Sequence, residues 1–303
     1  LVYADQYSMN HRYGNMSLGG KAAYRLILAV SDANGTWTHL DQISIGNLDT
    51  SDGIAGMAVG PNGTVWVTFY WSSWIDVPGL IYHSSGSGYA VASWTASGGW
   101  QSLDNIGLSY YDYVRPDIAV DGNGDVWVSG YCWYTIYMHA LTYNVGSNEY
   151  ICIAKRDSSN GWNALYYANS YDNPRLDALT DHPNGGIVMW VRSGGYNNPS
   201  GGTTSIYYST PGALVRLFSS NGTMWLMDQP TCSSNSNCNY VQSLDVKPNG
   251  DVIVAGYFQY SISFSNCCSV NSGGGYDGYV AQFNNSGYWD WSIALGGTSN
   301  DYA

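Results

Sequence analysis

Apolar positions along the chain come in short runs bounded by turn signals, with no sustained helical rhythm. Thr64-Val65-Trp66-Val67-Thr68 follows Pro61-Asn62-Gly63, and Asp125-Val126-Trp127-Val128-Ser129 follows Gly122-Asn123-Gly124. Gly186-Ile187-Val188-Met189-Trp190-Val191 follows Pro183-Asn184-Gly185, and Asp251-Val252-Ile253-Val254-Ala255 follows Pro248-Asn249-Gly250. The turn asparagines lie 61, 61 and 65 residues apart, and a short apolar run such as Ile118-Ala119-Val120 precedes each turn. Strand, Asn-Gly turn, strand is a hairpin pattern. A second turn series interleaves with the first: Asn34-Gly35, Gly98-Gly99, Asn160-Gly161, Asn221-Gly222 and Ser286-Gly287. Each joins two more strands, the later one carrying Trp37, Trp100, Trp162, Trp225 or Trp289. The repeating unit is therefore four strands.

Runs such as Val126-Trp127-Val128 leave neither face for water, so each unit is expected to lie between two others. The pattern predicts an all-β chain, a β-propeller of four-stranded antiparallel blades. It divides a single domain, 1–303, into a partial first blade (1–50), four further blades (51–113, 114–173, 174–239, 240–297) and the start of another (298–303). About five blades are thus visible. Leu1-Val2-Tyr3-Ala4 has the place of a second strand whose first is missing, so either the sequence is a piece of a longer chain with more blades, the favoured expectation, or the ring closes across a missing inner strand.

The last unit carries a resemblance. Asp277-Gly278-Tyr279-Val280-Ala281-Gln282-Phe283, then Gly287, Trp291 and Leu295-Gly296-Gly297-Thr298-Ser299-Asn300-Asp301-Tyr302-Ala303, resemble the secreted prokaryotic β-propeller repeats known as SBBP repeats. Ile118-Ala119-Val120-Asp121 with Gly124-Asp125-Val126-Trp127-Val128-Ser129-Gly130 is similar to that family's next segment. The resemblance implies a propeller fold and an extracellular setting, with no single activity and no catalytic residues.

Composition narrows the partners. The formal charge is −12, only 11% of residues are charged, and the ten bases are seven Arg and three Lys. That excludes a basic nucleic-acid face and a polybasic membrane patch. No apolar run is long enough to span a bilayer, so no membrane insertion of this segment is expected. A surface solvated by Asn, Ser, Thr and Tyr, with 28 Tyr and 13 Trp against 5 Phe, suits a cell-surface or secreted protein.

Antiparallel order puts the tight turns on one face of the propeller. The long segments 6–20, 72–88, 134–149, 193–212 and 259–275 fall on the other, where function is expected. Aromatics crowd that face, and Trp71, Trp74, Tyr111, Tyr131, Trp133, Tyr134 and Tyr257 are the candidate binding residues. Such rings pack loops together, form protein interfaces or stack on sugars, and composition alone leaves all three open. The expected function is a structural or adhesive module that binds protein partners, copies of itself or glycans, with no cofactor. The alternative is a polysaccharide-active enzyme using pairs among Asp112, Asp117, Asp172 and Asp177.

Six cysteines fit an oxidising compartment. Cys132 and Cys152 lie on neighbouring strands and suit a cross-strand bridge. Cys232 with Cys238 and vicinal Cys267 with Cys268 are the local pairings, and links between these two segments are the rival. Sequons stand at Asn15, Asn34, Asn62, Asn221 and Asn284, four of them on tight turns. Asp121-Gly122-Asn123-Gly124-Asp125 has the acid spacing of a calcium loop without the later Glu, so a plain turn is expected and no metal site. Ser31-Asp32-Ala33-Asn34-Gly35-Thr36-Trp37 loosely resembles a sialidase Asp-box, but Glu149 is the only glutamate and the nucleophile pair of such enzymes has no counterpart.

Overall fold

In a computed structural model, residues 2–3, 11–13, 16–18, 25–45, 54–77, 79–106, 117–138, 141–159, 161–169, 175–192, 194–197, 206–208, 212–220, 222–233 and 239–302 are described, some by backbone alone. All regular structure among them is antiparallel β, with no helix. The first unit holds β1 (Val2–Tyr3), β2 (His11–Tyr13), β3 (Met16–Leu18), β4 (Arg25–Ser31) and β5 (Trp37–Ile45). The second holds β6 (Ile54–Val59), β7 (Val65–Val77), β8 (Leu80–Thr95) and β9 (Gly99–Asn105). The third is β10 (Ile118–Val120), β11 (Val126–Met138), β12 (Leu141–Asp157) and β13 (Gly161–Asn169). The fourth is β14 (Arg175–Asp181), β15 (Ile187–Arg192), β16 (Gly194–Asn197), β17 (Ile206–Tyr208), β18 (Ala213–Leu217) and β19 (Met224–Asp228). The fifth is β20 (Thr231–Cys232), β21 (Asn239–Val246), β22 (Val252–Ser263), β23 (Ser269–Phe283) and β24 (Trp289–Leu295).

The four-strand order read from the turns is present: β6-β7-β8-β9, β10-β11-β12-β13, β14-β15-β18-β19 and β21-β22-β23-β24. Two sheets reach beyond their unit. β5 pairs with the outer part of β7, joining the first two units, and β16 extends the third sheet by pairing with β13. The segments 72–88, 134–149 and 259–275, expected as loops, are mostly the far ends of long hairpins. Ser72 pairs with Ser87, Tyr134 with Gly146 and Gln259 with Tyr276. Ladder pairing satisfies their backbone groups, which a bare loop would leave to water.

The Asn-Gly turns are three-residue loops. Gly60, Asp121, His182 and Lys247 each donate N–H to the carbonyl four residues on. Gly63, Gly124, Gly185 and Gly250 take φ of 78°, 82°, 81° and 89°, and the asparagines before them stay at negative φ. This is a type I turn closed by a left-handed glycine, not the two-residue turn that needs both residues at positive φ.

Successive sheets stack face to face. Val126 and Val128 pack towards Trp66, Tyr89 and Val91 of the second unit. Trp127, between them, points the other way, towards Leu179, Ile187 and Met189 of the fourth. Val188 and Trp190 alternate likewise and pack on Val252, Val254 and Phe258 of the fifth. Alternation along a strand therefore serves two cores at once, which is why these strands read as unbroken apolar runs. The first strands of neighbouring units, β6 to β10, β10 to β14 and β14 to β21, lie beside one another.

Candidate functional site

The anticipated aromatic set divides. Trp71 is 1% exposed and packs with Leu28, Phe69 and Trp94, so it belongs to the core and offers no ring to a partner. Its place on β7 opposite Gly88 turns it inward, which the crowding of aromatics in sequence did not show. Trp74 lies on β7, and Tyr131, Trp133 and Tyr134 lie on β11, where the backbone alone is described. Tyr111, Asn15, Asn221, Cys238, Asp112 and Asp172 lie outside the described residues.

Tyr257 stands in a cluster. A bulge between Val241 and Ser243 shifts β21 by one residue and sets Tyr240 opposite Tyr257, the rings stacked at 4.8 Å and 14°. Tyr276, opposite Gln259, meets Tyr257 edge-on at 5.6 Å. After β24 the chain folds back: Asp301 donates N–H to the Tyr276 carbonyl, and the Tyr276 N–H donates to Asn300 Oδ1. Tyr302 thereby lies edge-on to Tyr257 at 5.0 Å and near-parallel to Tyr276 at 6.0 Å. Gly273 and Gly274 permit this return, because a Cβ at either would overlap the carbonyl oxygens of Gly297 or Thr298.

Arg192 of the fourth unit closes the inner side, its guanidinium 4.7 Å from the Tyr240 ring. It is buried and paired with Asp177: Nη2 donates to Oδ1 at 2.7 Å, and Nε lies 2.5 Å from Oδ2 as an ion-pair contact. Beneath, the buried Tyr279 hydroxyl donates to Asn239 Oδ1 at 2.8 Å. Burial, then the neighbouring Tyr240, pushes the Tyr257 and Tyr276 phenols above their ordinary range, and burial raises Tyr279 further. These hydroxyls stay protonated at neutral pH. On the open side Tyr302 is 62% exposed and Tyr260 54%. Tyr260 also holds φ 72°, a strained value for a bulky residue, at the break in register between Gln259 and Ser261. The result is a rim of phenols beside Asn300 and Asp301, suited to stacking and hydrogen bonding. Tyr240, Tyr276, Tyr302 and Arg192 were not anticipated; the signal for Tyr240 would have been the bulge, which no residue count across the turn reveals.

Among the described residues, Asp117, Asp177, Asp32, Asp121 and Asp125 are engaged in structural contacts. Asp117 Oδ1 accepts from the Ile118 amide at 2.9 Å, burial raises its pKa, and Asp177 is held by Arg192. Asp32 Oδ1 caps its turn by accepting from the Asn34 and Thr36 amides, both at 2.9 Å. In the calcium-like loop, Asp121 Oδ1 accepts from the Asn123 and Asp125 amides, and Asp125 Oδ2 pairs with Lys155 at 2.9 Å.

Cys132 is bonded to Cys152 across β11 and β12, and Cys267 to its neighbour Cys268 in the β22–β23 turn. Cys232 is also disulfide-bonded. Asn34 and Asn62 are exposed on their turns. Asn284 is not free to react: its Nδ2 donates to Asp290 Oδ1, and its Oδ1 accepts from the Ser286 and Tyr288 amides. Expressed through a eukaryotic secretory pathway, the protein is expected to carry N-glycans at Asn34 and Asn62 and none at Asn284. Glycosidase treatment with peptide mass spectrometry checks this.

No family model and no curated protein matches the chain. Among solved structures, it is similar to a protein of unknown function from Dyadobacter fermentans DSM 18053, at 12% identity and a TM-score of 0.40, over 91% of this chain and 85% of that one.

Proposed function

We propose that the chain forms extracellular β-propeller blades, its successive sheets, and that it works as an adhesive recognition module. The tyrosine rim around Tyr257 is its contact point, and a glycan or protein surface is the partner. The observation that carries this reading is the cluster of Tyr240, Tyr257, Tyr276 and Tyr302, assembled from β21, β22, β23 and the chain after β24 and left open beside the exposed Tyr260. Adjacent first strands and two-sided sheets support the propeller, and the disulfides support an oxidising compartment.

A printed panel of defined oligosaccharides tests the reading. Binding is expected, with Tyr302→Ala and Tyr260→Ala each weakening it roughly tenfold, a usual loss for an aromatic anchor. Binding unaffected by either change would move the contact elsewhere. Release of reducing ends from the panel would favour the polysaccharide-active enzyme instead.

A further inference from the structure

One of the disulfides is not explained by stability. A bridge stabilises a fold chiefly by closing a loop of the unfolded chain, and the gain grows with the length of that loop. Cys132–Cys152 spans 20 positions, joins two strands and is completely buried. Cys267–Cys268 spans one position and closes no loop, with Cys267 exposed and Cys268 half-buried. What the vicinal pair does hold is its own turn. Beyond Ser263 and Ser269, the last pair of β22 and β23, Phe264 donates N–H to the Cys268 carbonyl at 2.8 Å, and Cys267 donates to the Phe264 carbonyl at 3.3 Å. Asn266 between them takes a left-handed φ of 59°, which asparagine tolerates better than most residues. The small ring of the bridge thus restrains the two residues that close the turn. That turn supports the junction with the preceding unit. Phe264 is buried with its ring 4.7 Å from Trp289. Trp289 Nε1 donates to Asp228 Oδ2, and Ser265 Oγ donates to Asp228 Oδ1 at 2.9 Å. Asp228 ends β19 of the fourth unit. Cys268 and Cys232 both pack on the core shared by the two units, and β20 runs along the same hairpin with Cys232 opposite Ile262.

We propose that Cys267–Cys268 is a thiol–disulfide exchange site, and that its redox state sets how the β22–β23 turn sits on Asp228. The substrate is a low-molecular-weight thiol. Its thiolate attacks the exposed Cys267 Sγ and forms a mixed disulfide. The bond between the two cysteines breaks, and its electron pair leaves on Cys268 Sγ, which takes a proton from water. A second thiolate attacks the substrate sulfur of the mixed disulfide, which releases the oxidised substrate and leaves Cys267 as the thiolate. Two substrate thiols are oxidised and one cystine is reduced. Exposed disulfides are the labile kind, whereas burial shuts Cys132–Cys152 off from the same attack. Opening the ring frees the turn, and with it the hold of Phe264 on Trp289 and of Ser265 on Asp228.

The test equilibrates the 303-residue chain with graded ratios of reduced to oxidised glutathione, followed by iodoacetamide alkylation and peptide mass spectrometry. Cys267 and Cys268 are expected to become alkylated at a ratio roughly tenfold below the one that opens Cys132–Cys152 or the Cys232 bridge. At that lower ratio, hydrogen exchange at the Phe264 and Cys267 amides is expected to rise while exchange across β11 and β12 is unchanged. The double variant Cys267→Ser/Cys268→Ser should exchange at Phe264 as the reduced protein does and ignore added glutathione, with circular dichroism checking its fold. The wild-type titration needs no variant. A vicinal pair that opens together with the other bridges, or after them, overturns the proposal. So does a pair that opens with no change in exchange at Phe264 and Cys267, or a folded double variant that exchanges as slowly as the oxidised protein.

Discussion

Replacing Asp121 with alanine is expected to lower the unfolding free energy by about 3–5 kcal/mol, the cost of several buried donors left without an acceptor. Asp121 is fully buried and receives four N–H groups. Its Oδ1 accepts from the amides of Asn123 and Asp125, its Oδ2 from Trp127 Nε1 at 3.0 Å and from the Gly186 amide at 2.5 Å. One carboxylate therefore closes its own turn, orients the core tryptophan of the third sheet and ties that sheet to the fourth. Urea denaturation followed by tryptophan fluorescence measures the loss. Asp121→Asn recovers only the turn bonds, because its amide NH2 faces the Trp127 and Gly186 donors, and it is expected to fall between alanine and wild type. If calcium instead raised the stability of the wild type and not of Asp121→Ala, the segment would be a metal loop and this account would fail.

Acid is expected to remove a comparable amount of stability through His182. Its ring is 1% exposed, and Nδ1 accepts from the Asn184 amide and faces Arg216 Nη2, each at 3.1 Å. Burial first, and the Arg216 charge second, push its pKa down from 6.5 to about 4. In the unfolded chain the same group protonates near 6.5. Between these values the unfolded state binds the proton that the folded state refuses, so stability is full above pH 6.5 and falls as pH drops towards 4. The full difference, at about 1.4 kcal/mol per unit, is roughly 3 kcal/mol. Asp117 and Asp181, raised mainly by burial, act in the opposite sense: their contribution is present below the ordinary carboxylate pKa and lost as pH rises through their folded values. A comparison with His182→Asn separates the two. Asparagine caps the equivalent β23–β24 turn at Asn284, accepting from two amides there, so it keeps the turn without a titrating ring. Urea midpoints at pH 7 and pH 4.5 should differ less in the variant. Equal pH dependence in both proteins would show that His182 does not set it.

These two residues show where local pattern was enough. The Asn-Gly turns were legible because that pair supplies the left-handed residue that a three-residue hairpin loop needs, and φ near 80° at Gly63, Gly124 and Gly185 follows directly, whereas the turn closed by Phe264 and Cys268 lay inside a segment expected as a loop. Strand order within a unit was legible for the same reason, since a short turn leaves its flanking strands only one antiparallel pairing. Two-sided burial was legible from unbroken runs, because period-two alternation disappears when both faces are covered. That Asp121 caps its turn lies within reach of such reasoning; that its other oxygen holds Gly186 of the next sheet does not.

The candidate site was mostly out of reach. Counting outward from Pro248-Asn249-Gly250 pairs Val246 with Val252 and would set Tyr257 opposite Val241. The bulge moves it to Tyr240, and Gly256 permits the shift because a Cβ there would overlap the Tyr240 carbonyl. Trp71 and Tyr257 lie on corresponding second strands and look alike in sequence, yet one is sealed in the core and the other forms the rim. The sequence by itself determined the β class, the four-strand unit and its turns, all of which depend on residues a few positions apart. Only the tertiary structure decided which aromatics stay open and which carboxylates are engaged, because those outcomes depend on one-residue shifts in register and on the chain that comes to lie across each face.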